Sequence, residues 1–102
     1  MSKSLSVAAL TVLHSVARGT AHGFDIIDGS GLPGGTVYPA LSRLERDGLL
    51  KSAWEDEQAA HDEGRPARRY YRVTAPGTRA LDQTLAYYRS LIPLTPARRQ
   101  GR

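Results

Sequence analysis

The stretch from residue 29 to residue 35 reads Gly-Ser-Gly-Leu-Pro-Gly-Gly. It constrains this chain more than any other segment. Gly29, Gly31, Gly34 and Gly35, together with Ser30 and Pro33, cannot extend a regular element, so the chain turns there. On both sides of the turn, apolar residues recur with a helical period. The N-terminal half is therefore short helices folded back on one another, not a sheet and not one long coil.

Before the turn, Leu5, Ala8, Ala9, Val12, Leu13 and Val16 fall on one face of a helix, with Ser4 as its expected cap and Gly19 as its stop. Thr20 is placed to cap a short second helix that runs to about Asp28, with Phe24 and Ile27 on one side. After the turn, Val37, Leu41, Leu44 and Gly48 mark the inner face of a third helix, and Pro39 falls in or just past its first turn.

The pattern then changes. Residues 49–55 and 69–74 read as two strands, the second alternating Tyr71 and Val73 with Tyr70 and Arg72. Residues 56–68 between them are polar and too long for a tight hairpin, and they read as a mobile loop. Thr74 and Pro76 open a last helix, which Pro93 stops. Leu81, Leu85, Tyr88 and Ile92 form one stripe of it, and Ala80, Thr84, Tyr87 and Leu91 an adjacent one. Together they span an apolar arc of roughly 160°.

Three helices, a two-stranded wing and a closing helix make a mainly α fold with a small β wing: a winged helix-turn-helix with a C-terminal dimerisation helix. Residues 1–74 form the winged domain and residues 75–93 the dimerisation helix, while residues 94–102 read as a disordered tail. The closing arc is too wide for a helix that packs only on its own core. The expected homodimer interface is Leu81, Leu85, Tyr87, Tyr88, Leu91 and Ile92, with Val7 and Leu10 as partner-side candidates. Tyr87 and Leu91 are its anchors.

Composition narrows the function. The chain of 102 residues carries a net charge of +4 and no Cys. Disulfides, thiolate metal sites and a Cys nucleophile are excluded. His14, His22 and His61 fall on different elements without metal-ligand spacing, and no strand-to-helix phosphate loop is present. No catalytic residue, metal or cofactor is expected. No signal peptide or membrane span is read, and a cytoplasmic location is expected. The basic balance suits a polyanionic partner, and in this fold that partner is double-stranded DNA.

The third helix supplies the expected reading surface, because the N-terminal part of the second motif helix enters the major groove. Pro39, Ser42, Arg43 and Arg46 point roughly opposite the inner face, with Thr36 and Tyr38 flanking the entry. Gly34 and Gly35 allow close approach to a phosphate. Arg43 has the reach to bridge a guanine edge or pair with a phosphate. In the loop, an acidic half (Glu55, Asp56, Glu57, Asp62 and Glu63), expected to bend away from DNA, is followed by a basic half (Arg65, Arg68, Arg69 and Arg72), expected to reach along the backbone and into an adjacent minor groove. The alternative for such a fold is a winged-helix module that binds another protein instead of DNA.

Several segments together resemble the PadR family. They are His22-Gly23-Phe24-Asp25-Ile26, Gly35-Thr36-Val37-Tyr38-Pro39-Ala40-Leu41, Arg43-Leu44-Glu45 with Gly48-Leu49-Leu50, and the run from Gly64 to Thr74. The resemblance covers about residues 5 to 92. It implies a bacterial regulator, usually a repressor, that acts as a two-fold dimer on a near-palindromic operator. A single helix after the wing is similar to the short class of the family. The resemblance puts Tyr38 and Pro39 close to DNA, Arg65 and Arg68 on its backbone, and the last helix against the partner's first helix. Neither the residues nor the resemblance identifies a small-molecule effector.

Overall fold

The structure is a computed structural model that describes residues 5–92. In chain order the elements are α1 (Val7–Ala17), α2 (Gly23–Ser30), α3 (Gly34–Arg46), β1 (Leu50–Trp54), α4 (Glu57–Asp62), β2 (Arg69–Val73) and α5 (Ala75–Leu91). The expected tail, residues 94–102, and the expected cap Ser4 lie outside the described residues.

The core forms where the apolar faces of α1, α2 and α3 meet. Val12, Leu13, Ile26, Val37 and Leu41 are fully buried there, and Leu44, Leu50 and Leu81 close the cluster. Ser6 caps α1, its hydroxyl accepting the Ala9 N–H at 3.1 Å. Thr20 does not cap α2. That helix starts two residues later than expected, because Ala21 and His22 are drawn into extended pairing with the wing. The Tyr71 N–H donates to the Ala21 carbonyl at 2.7 Å, and His22 bridges Tyr70.

The glycine-rich turn is tighter than its composition suggests. Gly29 and Ser30 complete α2, Gly34 and Gly35 begin α3, and only residues 31–33 connect them. Gly31 supplies the left-handed residue that ends α2, at φ 74°, a conformation that Cβ sterics disfavour for other residues. Pro39 is the sixth residue of α3, just past its first turn. With no N–H, Pro39 leaves the Gly35 carbonyl without its intrahelical donor, on the exposed side of the helix.

β1 and β2 pair antiparallel, with Leu50 opposite Val73 and Trp54 opposite Arg69. The connection between them is not a mobile loop. Asp56 accepts the Ala59 N–H and caps the single short helix α4, whose Ala60 is buried. A carboxylate at a helix start satisfies an otherwise free N–H and lies favourably in the helix dipole, which is enough to organise this polar stretch locally.

α5 begins against the wing. Thr74 caps it, its oxygen accepting the Gly77 N–H at 3.0 Å while its hydroxyl donates to the Gly48 carbonyl at 2.6 Å. Gly77 touches the Leu49 carbonyl so closely that no side chain fits there. Further along, α5 packs on the start of its own chain. Thr84 is buried and accepts the Leu5 N–H, and the Tyr88 hydroxyl donates to the Leu5 carbonyl at 3.0 Å.

This packing corrects part of the expected dimer surface. Leu81 is buried within its own subunit, while Leu85, Leu10 and Tyr88 are half-buried there. Tyr87, Leu91, Ile92 and Val7 remain exposed.

Candidate nucleic-acid interface

The outward face of α3 follows from which residues are buried. Val37, Ala40, Leu41 and Leu44 face the core. At about 100° per residue, Gly35, Pro39, Ser42 and Arg46 lie within roughly 30° of the opposite direction. All four are exposed. Thr36 is half-buried at the helix start. This row has no side-chain partner among the described residues and presents small or flat groups followed by one guanidinium.

Tyr38 and Arg43 flank the row on opposite sides, each about 70° from its centre. Tyr38 lies on the wing side, its ring seated against Gly23. A Cβ at Gly23 would sit 2.6 Å from the Tyr38 hydroxyl oxygen. Gly23 thus makes room for the ring, and the ring stays 45% exposed. Arg43 lies on the other side and lines a recess with Leu5, Asp47 and Gln83. The expectation that Arg43 lies on the outward row is corrected. Ala40 belongs to the buried face and rotates the outward direction away from Arg43, leaving Arg46 as the arginine on that row.

The wing is fixed to α3 by a polar bridge. Glu45 accepts from the Ser52 hydroxyl at 2.6 Å and from the Arg69 guanidinium at 3.0 Å, and Arg69 Nε donates to Ser52 Oγ at 2.9 Å. The Arg69 guanidinium also lies 5.7 Å from the Trp54 ring centroid and 5.8 Å from that of Tyr71. These are favourable cation–π distances. Burial beside β1 raises the Tyr71 pKa, so its hydroxyl stays protonated at neutral pH.

The tip of the wing is closed by a second bridge. Arg65 donates to both oxygens of Glu55, at 2.6 and 2.7 Å, and to Glu63 at 3.2 Å. The Arg68 N–H donates to Glu55 as well, at 3.1 Å. Paired in this way with Arg65, the Glu55 carboxyl is held down to about 2, and the Arg65 pKa rises further above its ordinary value. The expectation for Arg65 is therefore corrected. Its charge is already matched by a carboxylate, and its role in this structure is to close the wing tip. The side chain of Arg68 makes no ion pair among the described residues, and it remains the available cation of the expected pair.

The acidic half of the connection does not simply bend away, since Glu55 is the hub of that closure. Charge order along the chain could not reveal the Glu55–Arg65 and Glu45–Arg69 pairs. Their members stand 10 and 24 residues apart, and they meet only through the pairing of β1 with β2 and the seating of α3 beside the wing.

Among the described residues, no group of His, Asp and Glu is arranged to hold a metal ion, and no helix is long and apolar enough to cross a membrane. Three helices, a two-stranded wing with its loop folded onto it, and an unpacked outer row on the third helix define a winged helix-turn-helix regulator. The chain belongs to the transcriptional regulator PadR-like family, which it matches over residues 12–83. It is 43% identical over 79 residues to the transcriptional regulator Rv3488 of Mycobacterium tuberculosis, covering 72% of this chain and 68% of that one. A PadR family transcription regulator from Clostridium difficile superposes with a TM-score of 0.73 at 24% identity, over 84% of this chain and 91% of that one. A PadR-like transcription factor from Bacteroides fragilis superposes at 0.69 with 27% identity, over 81% of each chain. The protein is thus a transcriptional regulator and not an enzyme.

Proposed function

We propose that this regulator is a cytoplasmic repressor that binds a near-palindromic operator as a homodimer, with α3 in the major groove and the wing along the adjacent backbone. The observation that carries this reading is the outer row of α3. Gly35, Pro39, Ser42 and Arg46 are exposed along one line, beside a wing pinned to the same helix. Small residues at the start of the row let the backbone of α3 approach the duplex, and the helix N-terminus favours a phosphate there. Thr36 and Tyr38 border the entry. Arg46 has the geometry for a base edge, Arg43 serves a flanking phosphate, and Arg68 meets the backbone beside the wing.

The dimer is supported by Tyr87, Leu91 and Ile92, which leave a ring and two aliphatic chains in water at the end of α5. Val7 is exposed as well, two residues after the Leu5 that α5 holds. Burying them against a second copy removes apolar surface that a lone subunit leaves wet. Two copies of α3 then enter successive major grooves about 34–36 Å apart.

The test is a mobility-shift titration on DNA from the region upstream of the gene, over a range of salt. Binding whose log K falls steeply with log salt, by about 0.9 per phosphate neutralised, supports the reading. Arg68→Ala should lower affinity on all sequences and flatten that slope by about one such increment. No preference for upstream DNA over random duplex would refute it.

A further inference from the structure

A small recess lies where the second half of α1 meets the end of α2, at the opposite end of α2 from its pairing with the wing. Its volume is about 300 Å³, at the lower limit of the range of about 300–1,000 Å³ typical of small-molecule sites. The lining is polar. His14, Ser15 and Arg18, from α1 and its C-cap, meet Thr20, Gly29 and Ser30 there, and neither an aliphatic side chain nor a carboxylate lines it.

Ser15 is the unusual member. It is only 8% exposed, and its hydroxyl has no hydrogen-bond partner among the described residues. A helical hydroxyl can turn back to the carbonyl four residues earlier, as Thr11 does toward Val7 at 2.7 Å. Ser30 is engaged as well, its oxygen accepting the Leu32 N–H at 3.1 Å. Ser15 does neither. A buried polar group left unmatched is destabilising, and a partner entering the recess would remove that cost. The Thr20 hydroxyl, which does not cap α2, is also without a partner among the described residues. A Cβ at Gly29 would lie 3.7 Å from it, so a longer side chain there would cover it.

His14 and Arg18 are exposed, and neither is in an ion pair among the described residues. The guanidinium carries a full positive charge, and the imidazole offers a ring N–H in either protonation state. Neither acid of α2 offsets them. Asp25 is paired with His22 at 2.9 Å, at the far end of the helix. Asp28 does not line the recess and lies roughly 160° around α2 from Ser30. The carbonyls at the two helix ends, which would repel an anion, are already bonded. That of Ser15 accepts the Arg18 and Thr20 N–H groups, that of Val16 accepts Gly19, and that of Ile27 accepts Gly31.

We propose that this recess binds a phosphate group. Arg18 neutralises its charge, His14 donates from its ring, and the Ser15 and Thr20 hydroxyls donate to its remaining oxygens. A tetrahedral oxyanion takes donors from several directions and asks for no apolar wall, which matches this lining. The group comes either from a free phosphomonoester or from the backbone of DNA, since both present such oxygens.

The probe is inorganic phosphate, titrated at constant ionic strength against chloride. The backbone amide NMR peaks of Ser15, Arg18 and Thr20 should move to saturation with phosphate and stay in place with chloride. Arg18→Gln, at an exposed position, should weaken binding about tenfold, and Ser15→Ala roughly three- to tenfold. Ser15→Ala should also hold or raise Tm, because it deletes a buried hydroxyl that nothing in the fold satisfies. Unmoved peaks, or unchanged phosphate affinity in either variant, overturn the site. A fall in Tm for Ser15→Ala makes that hydroxyl a packing element and overturns its assignment as a ligand. The source of the phosphate is read from operator binding. For a backbone phosphate of DNA, Arg18→Gln flattens the slope of log K against log salt by about 0.9. An unchanged slope in a variant that has lost phosphate assigns the site to a free phosphomonoester. The phosphate titration uses no DNA, so it decides the site even if the chain binds no operator.

Discussion

Replacing glycine by alanine at two helical positions should change stability in opposite directions. At Gly77, in the first turn of α5, an added methyl would lie 2.8 Å from Val73 Cγ1 and 3.0 Å from the Leu49 carbonyl carbon, with the Leu49 oxygen closer still. Ordinary contact begins near 3.4 Å, so Val73 alone would have to retreat by about 0.6 Å, and the Leu49 backbone cannot rotate aside as a side chain can. α5 must then lift from the wing, which loosens the seat of Leu81. Overpacking of this kind costs about 1–3 kcal/mol, and the helix preference of Ala over Gly offsets roughly 0.5–1 kcal/mol of it. The net loss is then at most about 2.5 kcal/mol, with a centre near 1.25 kcal/mol, which corresponds to a fall in Tm of roughly 5–10 °C for a chain of this size. At Gly35 nothing lies within 4 Å of the added methyl, and its φ is not left-handed. Gly35→Ala should therefore leave Tm unchanged or raise it by a few degrees, while weakening operator binding by obstructing the approach of α3. Thermal unfolding followed by circular dichroism, with a mobility shift on each variant, reads both effects. Equal Tm values for the two variants would refute the packing argument, and undiminished DNA affinity in Gly35→Ala would refute the placement of the outer row.

Binding-site selection should separate the two arginines of α3. Arg46→Ala should relax one position of each half-site, at a cost of roughly 1–3 kcal/mol, whereas Arg43→Ala should lower affinity without changing the selected motif. The Glu55 carboxyl should titrate near pH 2 in a carboxyl-detected NMR experiment. Its folded-state value lies below its unfolded one, so the bridge stabilises the wing tip fully above about pH 4.5 and loses that contribution as the pH falls toward 2. A midpoint near 4.5 would show that Arg65 does not hold it. Leu91→Glu should shift sedimentation from dimer to monomer at micromolar concentration without lowering helix content, and an unchanged dimer would move the interface away from the end of α5.

Much of the fold was legible because apolar period reports directly on burial. The faces of α1, α3 and α5 and the alternation of β2 all appear in the sequence, and the wing follows from their order. α4 was not legible. A six-residue helix resting on one Asp cap and one buried Ala leaves no periodic signal. Arg43 was misplaced because the small apolar Ala40 does not announce itself as core, and adding it turns the outward direction of α3. Leu81 was assigned to a partner because a wide apolar arc cannot say which part its own subunit covers. Tyr38 and Pro39 could be named from the pattern, but the reason for Gly23, the space it leaves for the Tyr38 ring, is visible only when α2 and α3 lie side by side.

The bridge among Glu45, Ser52 and Arg69 sets where compliance resides in a complex with DNA. With the reading helix and the wing joined by two short polar contacts to Glu45, whose donors are themselves tied together within the wing, the two behave as one jaw with a fixed gap. A half-site whose groove and backbone do not match that gap must itself deform, at a cost on the order of 1–6 kcal/mol that depends on the stiffness of its base steps. Selectivity would then extend to base pairs that no side chain touches, as a measure of how easily the duplex yields.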